Sequence, residues 1–143
     1  MKSKCIQQDT ESTWAVIFDT GDEVMEGLLA FARANALSAS HFSAIGAFSE
    51  VVLGYFDWQR KDYRRIPIDE QVEVVSLMGD IALKDGEPQL HAHVVVSKSD
   101  GTAWGGHLMK ARVRPTLEVI VNESPAHLQR RSDAETGLAL IRL

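Results

Sequence analysis

The chain has 143 residues, enough for one domain with a buried core, and its 45% apolar and 24% charged residues are typical of a globular protein in water. No apolar stretch approaches the roughly 18–20 residues that cross a bilayer, which excludes a membrane-spanning helix. The formal net charge of −5 argues against binding nucleic acid by phosphate neutralisation. Cys5 is the only cysteine and the N-terminal segment has no apolar core, so we expect a cytoplasmic protein without a secretory signal or a disulfide.

The first predicted elements are a strand followed by a helix. Residues 13–18 are rich in β-branched and aromatic side chains, which favours a strand. Asp22 is the predicted N-cap of a helix that runs from Glu23 to about residue 36. In that segment apolar residues recur at helical spacing, at Val24, Leu28, Phe31 and Ala32. We predict an amphipathic helix that packs on a sheet, and the rest of the chain shows no second strong helix.

The remaining predicted elements are strands. Residues 39–47 and 51–58 are predicted as paired strands joined through residues 48–50, and Gly46 and Gly54 mark a bulge or a close approach. Pro67 favours an edge position for a short strand over residues 63–68. Further strands are predicted over residues 71–82, over residues 89–97, from residue 102 onward, over residues 116–121 after a break at Pro115, and over residues 138–143.

Three of the five histidines lie within 17 positions. His91 and His93 have the i, i+2 spacing that places side chains on one face of a strand, roughly 6.5–7 Å apart. The Ser99-Asp100-Gly101 turn returns the chain antiparallel, and His93 and His107 lie seven positions on either side of Asp100. His107 is therefore predicted to be the cross-strand neighbour of His93, with Gly105-Gly106 distorting the strand to aim its side chain.

Three converging imidazoles predict a metal site with one open coordination position. Imidazole suits zinc, copper, nickel and iron alike, and zinc is the expected ion because a three-histidine tetrahedral set needs no redox chemistry. The alternative is ordinary: neutral histidines also occur in half-buried strands without a metal. His41 and His127 lack such neighbours and are interpreted as a strand-entry residue and a surface residue.

The motifs together resemble the PPC (plant and prokaryote conserved) domain family over nearly the whole chain. The resemblance rests on residues 21–29, Phe42-Ser43-Ala44-Ile45-Gly46-Ala47-Phe48, residues 72–81, His91-Ala92-His93-Val94 and Gly105-Gly106-His107-Leu108. It implies a single α/β (α+β) domain over residues 1–143, with a strongly curved, mostly antiparallel sheet around one main helix, assembled as a homotrimer. It also implies a DNA-binding label and, for bacterial members with these histidines, a metal site at His91, His93 and His107.

The DNA-binding label transfers poorly. In plants the domain accompanies an AT-hook, whose Arg-Gly-Arg-Pro core enters the minor groove, whereas this chain has only Val113-Arg114-Pro115. Its basic clusters, at residues 60–65, 110–114 and 130–131, are interrupted or flanked by acidic residues. We interpret them as solvated surface charge.

Three functions remain open. The first is a trimeric metal-binding module with a regulatory or DNA-associated role, in which the metal organises a small-molecule pocket or stabilises the assembly. The second is a metal-dependent, zinc hydrolase-like enzyme, for which Glu73 and Glu118 are candidate bases, or candidate partners that orient a metal ligand, because both lie within strands. Both glutamates can equally pair with an arginine such as Arg112. The third is a nucleic-acid binder.

Overall fold

The structure is a computed structural model that describes residues 1–8, 11–125 and 127–142, with the backbone alone for residues 3–8. It contains one helix and nine strands among those residues. In chain order these are β1 (Lys2–Gln8), β2 (Ser12–Asp19), α1 (Val24–Ala34), β3 (Ala39–Asp57), β4 (Asp62–Ile68), β5 (Val72–Lys84), β6 (Glu87–Ser97), β7 (Ala103–Glu123), β8 (Gln129–Ser132) and β9 (Ala139–Arg142). In this part of the chain no helix is long and apolar enough to span a membrane.

The strands form one sheet in the order β1-β2-β7-β3-β5-β8-β9. β4 pairs with β3 outside this path, while β6 pairs with both β5 and β7. Because β3 also pairs with both β5 and β7, these four strands close a ring, which requires a strongly curved sheet. All pairings are antiparallel except a single parallel bridge between β5 and β8. This confirms the predicted single domain with one helix and a mostly antiparallel sheet.

The helix covers the inner face of the sheet. Its four fully or nearly buried residues are those predicted from the spacing, Val24, Leu28, Phe31 and Ala32. The N-cap is Glu23 and not Asp22: the Glu23 carboxylate accepts a hydrogen bond from the Glu26 amide at 2.7 Å and another from the Ala111 amide at 3.0 Å. The second bond anchors the helix to β7, and that long-range partner is why the cap lies one residue later than predicted.

Two predicted breaks are absent. Residues 39–47 and 51–57 belong to one 19-residue strand, β3, and are not paired with each other; the strand ends one residue earlier than predicted. The connecting residues continue the ladder, since Glu50 pairs with Arg112 of β7. Pro115 likewise lies inside the 21-residue β7. It falls where the β3–β7 register shifts between Gly46 and Phe48, so its missing N–H removes no regular ladder bond.

The predictions for Gly46 and for the edge strand are confirmed. A Cβ atom on Gly46 would lie 2.3 Å from the carbonyl oxygen of Thr116, so only glycine permits this strand contact. β4 pairs with β3 alone, as expected for an edge strand containing Pro67. The predicted C-terminal strand is β9 (Ala139–Arg142), whereas β1 and β8 were not predicted, and residue 143 lies outside the described residues.

Candidate metal centre

The three histidines lie together on the outer face of the sheet. In β6 the side chains alternate, so that Ala92 and Val94 are buried in the core while His91 and His93 point the opposite way. His107 of β7 pairs directly with His93, as the symmetric spacing about Asp100 predicts. Two adjacent antiparallel strands thus bring together residues that are up to 16 positions apart in the chain.

The distances suit convergence on one ion. The ring centroids are 5.0 Å apart for His91 and His93, 5.3 Å for His91 and His107, and 5.5 Å for His93 and His107. One nitrogen from each ring lies within 4.8 Å of the others. Three nitrogens bound tetrahedrally to one zinc ion are about 3.3 Å apart, so small ring rotations close the set.

The two glycines before His107 act differently from the prediction. Gly105 and Gly106 pair in regular register with Val95 and Val94, without a bulge. A Cβ atom on Gly106 would lie 2.8 Å from the carbonyl oxygen of Gly54 in β3. Gly106 therefore allows β3 to approach β7 closely. The pairing of β3 with β7 does shift in register, but only beyond His107, between Val52 and Leu53.

The surroundings of His91 and His107 favour the neutral form of these two imidazoles. Burial, reinforced by the neighbouring His91 and His93, lowers the pKa of His107 from 6.5 to about 4. Burial also lowers the pKa of His91, with His93 and Arg130 adding to the effect and Asp80 opposing it. A neutral imidazole is the form that binds a metal.

A ring nitrogen of His107 without a hydrogen-bond partner in the described part of the chain supports the view that the three histidines suit a metal ion. Nδ1 of His107 is buried without a hydrogen-bond partner among the described residues. The same ring stacks on Tyr63, with centroids 4.7 Å apart, which holds its orientation. Buried polar atoms normally have partners, so a ring nitrogen in this state is available to a cation.

Asp80 and Arg130 form an ion pair next to His91. Asp80 of β5 pairs in register with His91, and its carboxylate oxygen lies 3.9 Å from Nδ1 of that ring. The other carboxylate oxygen binds the Arg130 guanidinium. Only 5% of the Arg130 side chain is exposed, so its interpretation as solvated surface charge is wrong. The 3.9 Å separation is beyond hydrogen-bond range, so Asp80 acts on this ring through its charge, which favours Nδ1–H toward the carboxylate and leaves the other nitrogen for a metal.

Comparison with known proteins identifies the family. The Plants and Prokaryotes Conserved (PCC) domain, the PPC domain named above, matches residues 6–125. The chain belongs to the PPC family. Two curated relatives, both called "Bifunctional protein GlmU" and from two Synechococcus strains, are 32% and 31% identical over 120 residues. The PPC chain spans only 18% of the length of each of these relatives.

Solved PPC-like structures have the same fold. A PPC protein from Pyrococcus horikoshii is 30% identical with a TM-score of 0.86, over 92% of this chain and 91% of that one. A metal-containing protein from Archaeoglobus fulgidus is 33% identical with a TM-score of 0.86, over 98% and 99%. A protein from Ralstonia eutropha JMP134 named "Putative DNA-binding protein" is 30% identical with a TM-score of 0.84, over 91% and 90%.

The PPC chain does not bring the two candidate glutamates to the histidines. Glu73 is exposed and pairs with Ser97, five positions along β5 from the residue opposite His93, or roughly 15 Å at strand spacing. Glu118 is exposed and pairs with Ile45, whereas the β3 partner of His107 is Gly54. Neither lines the cavity beside the histidines. The arginine suggested as their partner, Arg112, pairs with Glu50 instead.

The other two histidines stay apart from this centre. His41 is exposed on β3, three residues into the strand. His127 is also exposed, and its Nδ1 lies 2.7 Å from the hydroxyl oxygen of Ser38. That hydroxyl also donates toward the Glu123 carboxylate, which accepts from the Ala39 amide as well. This network ties the C-terminal segment to the start of β3.

Proposed function

We propose that this PPC protein is a trimeric metal-binding module with a regulatory role in the cytoplasm, associated with DNA through partners. The observation that carries the proposal is the cluster of His91, His93 and His107, whose ligand nitrogens lie within 4.8 Å of one another. Three neutral imidazoles hold a divalent ion and leave one coordination position open. Zinc is the proposed ion, and the metal-containing Archaeoglobus relative supports a metal in this fold.

The outer face of the sheet supports self-association. Ile45, Val75 and Met78 are 61%, 57% and 64% exposed, and Val95 and Ile120 lie on the same face. They form a continuous apolar surface, called the outer patch below, because Ile120 and Met78 both pair with Ser43 of β3. Exposed apolar surface of this kind is typical of a protein interface. Met78 is also the direct neighbour of His93, so assembly would cover the sheet next to the metal.

Direct DNA binding has weaker support. The net charge is −5, and several basic side chains are already paired with acidic ones: Arg33 with Glu87, Lys98 with Glu70, Arg112 with Glu50, Arg130 with Asp80, and Arg142 with Asp133. Phosphate contacts would have to replace these pairs. We therefore assign the DNA association suggested by the Ralstonia relative to partner proteins.

A metal-dependent hydrolase is the second candidate. It is favoured by a cavity of about 180 Å³ beside the histidines, lined by both His91 and His107. A zinc-bound water needs a nearby base, and no carboxylate lines that cavity among the described residues. Burial raises the pKa of Tyr63, the phenol closest to His107, so this group stays protonated and does not serve as the base. Binding is thus better supported than hydrolysis.

Elemental analysis tests the metal proposal. Protein purified without a nickel column should contain close to one equivalent of a single divalent metal per chain, and His93→Ala should lose it. His41→Ala, which removes an exposed histidine on β3, is the matched control and should keep the metal. Wild-type protein that takes up no metal even after zinc is added would contradict the proposal.

A further inference from the structure

The cavity beside the histidines is built partly from the C-terminal hairpin. Its volume is about 180 Å³, which suits a molecule of a few carbon atoms. Tyr63, Gln89, His91 and His107 line one side, and Arg130 with residues 138–140 lines the other. A metal on the histidines would therefore face a small, partly apolar chamber.

Arg130, which lines this cavity, has a buried donor that no described residue satisfies. One of its terminal nitrogens donates to the carbonyl oxygen of Ala139 at 2.8 Å, and the other binds Asp80. Its Nε is buried and has no partner in the ranges that the structure describes. Leaving a buried N–H without an acceptor is costly, so a ligand atom that accepts a hydrogen bond fits here.

Gln89 has a buried acceptor to which no described residue donates, the reverse of the case at Arg130. Its side-chain Oε1 atom is buried and, within the described residues, unpartnered. An amide oxygen accepts hydrogen bonds, so a ligand with a donor group would satisfy it. Two residues that line the same small cavity thus contain one unmet donor and one unmet acceptor, and both atoms are buried behind the cavity wall.

The charges around the cavity favour an anion. A divalent ion held by three neutral imidazoles carries two positive charges that its ligands do not offset. The charges of Asp80 and Arg130 cancel each other, and no other charged side chain lines the cavity in the described part of the molecule. Leu138 and Leu140 add an apolar wall, which suits a short hydrocarbon body.

We propose that this cavity binds a small aliphatic carboxylate that carries a hydroxyl or amino group, with the metal as part of its site. The carboxylate occupies the open position of the metal and accepts from Nε of Arg130, while the hydroxyl or amino group donates to Oε1 of Gln89. This assignment rests on the metal site proposed above and names the class of molecule that the site recognises.

Calorimetric titration of the zinc-loaded full chain tests the assignment with three probes. Lactate, which has both groups, should bind at one site per chain. Propionate lacks the hydroxyl and should bind about tenfold more weakly, the effect of one hydrogen bond. Lactamide lacks the carboxylate and should show no saturable binding.

Two variants locate the binding. Gln89→Met should remove the preference for lactate over propionate, and Arg130→Lys, which keeps the charge beside Asp80, should weaken both acids. At saturating zinc both variants should hold one zinc per chain, although Arg130→Lys lowers the zinc affinity through Asp80, and Gln129→Met, at an exposed glutamine of β8, should behave as wild type.

The outcomes separate this proposal from the one on which it rests. A zinc-loaded chain that binds neither acid would overturn the ligand assignment and leave the metal site standing. Lactate binding that is unchanged by both Gln89→Met and Arg130→Lys would show binding elsewhere and would also overturn it. A chain that binds no zinc would overturn both.

Discussion

At the residue scale, the arrangement around His91 explains how a strand can hold a metal ligand in one orientation. Arg130 binds Asp80, and Asp80 faces Nδ1 of His91 at 3.9 Å. The buried arginine restrains the carboxylate, and the carboxylate acts on the ring through its charge. Such outer contacts raise the basicity of the ligand nitrogen as well as fixing its direction.

Asp80→Asn should therefore weaken metal binding without unfolding the protein. Loss of the carboxylate leaves the His91 ring less basic and less restrained, and the expected loss of zinc affinity is about 10–100-fold. Competition with a chromophoric chelator measures this affinity. Asp69→Asn, at an exposed position outside the centre, is the control. Equal affinities for wild type and Asp80→Asn would show that Asp80 has no role at the metal.

The depressed pKa of His107 predicts how acid affects the metal-free protein. The folded pKa is about 4 and the ordinary value is 6.5, so between these pH values His107 is neutral when folded and protonated when unfolded. The unfolded state binds more protons there, and stability must fall as the pH drops through that window. Denaturant unfolding at pH 7 and pH 5 should show this loss. His107→Gln should reduce it; an identical pH dependence in the variant would contradict the pKa shift.

At the element scale, hairpin turns explain which part of the centre was predictable. The Asp100-Gly101 turn places His93 opposite His107, as the register confirms. The Asp85-Gly86 turn works in the same way, since Asp80 and His91 lie equally far from its centre and pair in the structure. Asp80 was missed although this signal was present. Local turn chemistry determines the register because a slip by one residue would reverse every side chain.

Long-range contacts explain what was not predictable. Arg130 comes from β8, which joins β5 through a bridge between Leu83 and Gln129, and nothing near Arg130 in the chain indicates that its side chain is buried. The continuous strands β3 and β7 are stabilised by partners on both sides, which override the local signals at residues 48–50 and at Pro115. Tertiary pairing, not local propensity, decides these cases.

Gly106 and Gly105 offer a matched test of the strand geometry. A Cβ atom at Gly106 would lie 2.8 Å from the Gly54 carbonyl oxygen, whereas at Gly105 the nearest atom is 3.4 Å away. Gly106→Ala should push β3 away from β7 and displace His107, lowering both the thermal midpoint and the zinc affinity. Gly105→Ala should change neither by much. Thermal unfolding and chelator competition measure both effects, and equal behaviour of the two variants would refute the close-approach explanation.

At the scale of the whole molecule, the outer patch and the metal centre share one face of the sheet. Met78 pairs with His93, and the apolar surface extends from there across β5, β3 and β7. The core and the helix occupy the other face. One face thus stabilises the fold, while the other carries both the histidine cluster and the outer patch, the two features on which the proposed metal binding and self-association depend.

If the chain assembles as the proposed trimer through the outer patch, Val75→Glu should convert it to monomers. A carboxylate in the middle of the outer patch would have to be buried at the subunit contact, at a cost that exceeds the contribution of one apolar contact. Sedimentation velocity measures the change. Ala34→Glu, at an exposed position at the end of α1, should leave the trimer intact. A Val75→Glu protein that still sediments as a trimer would exclude the outer patch as the interface.

The most direct test of the account is anomalous diffraction from crystals of the zinc-loaded protein, with data collected on both sides of the zinc absorption edge. The account predicts one anomalous peak per chain, about 2.0–2.1 Å from one nitrogen of each of His91, His93 and His107. A peak at any other position, or no peak among these three rings after zinc has been added, would contradict it.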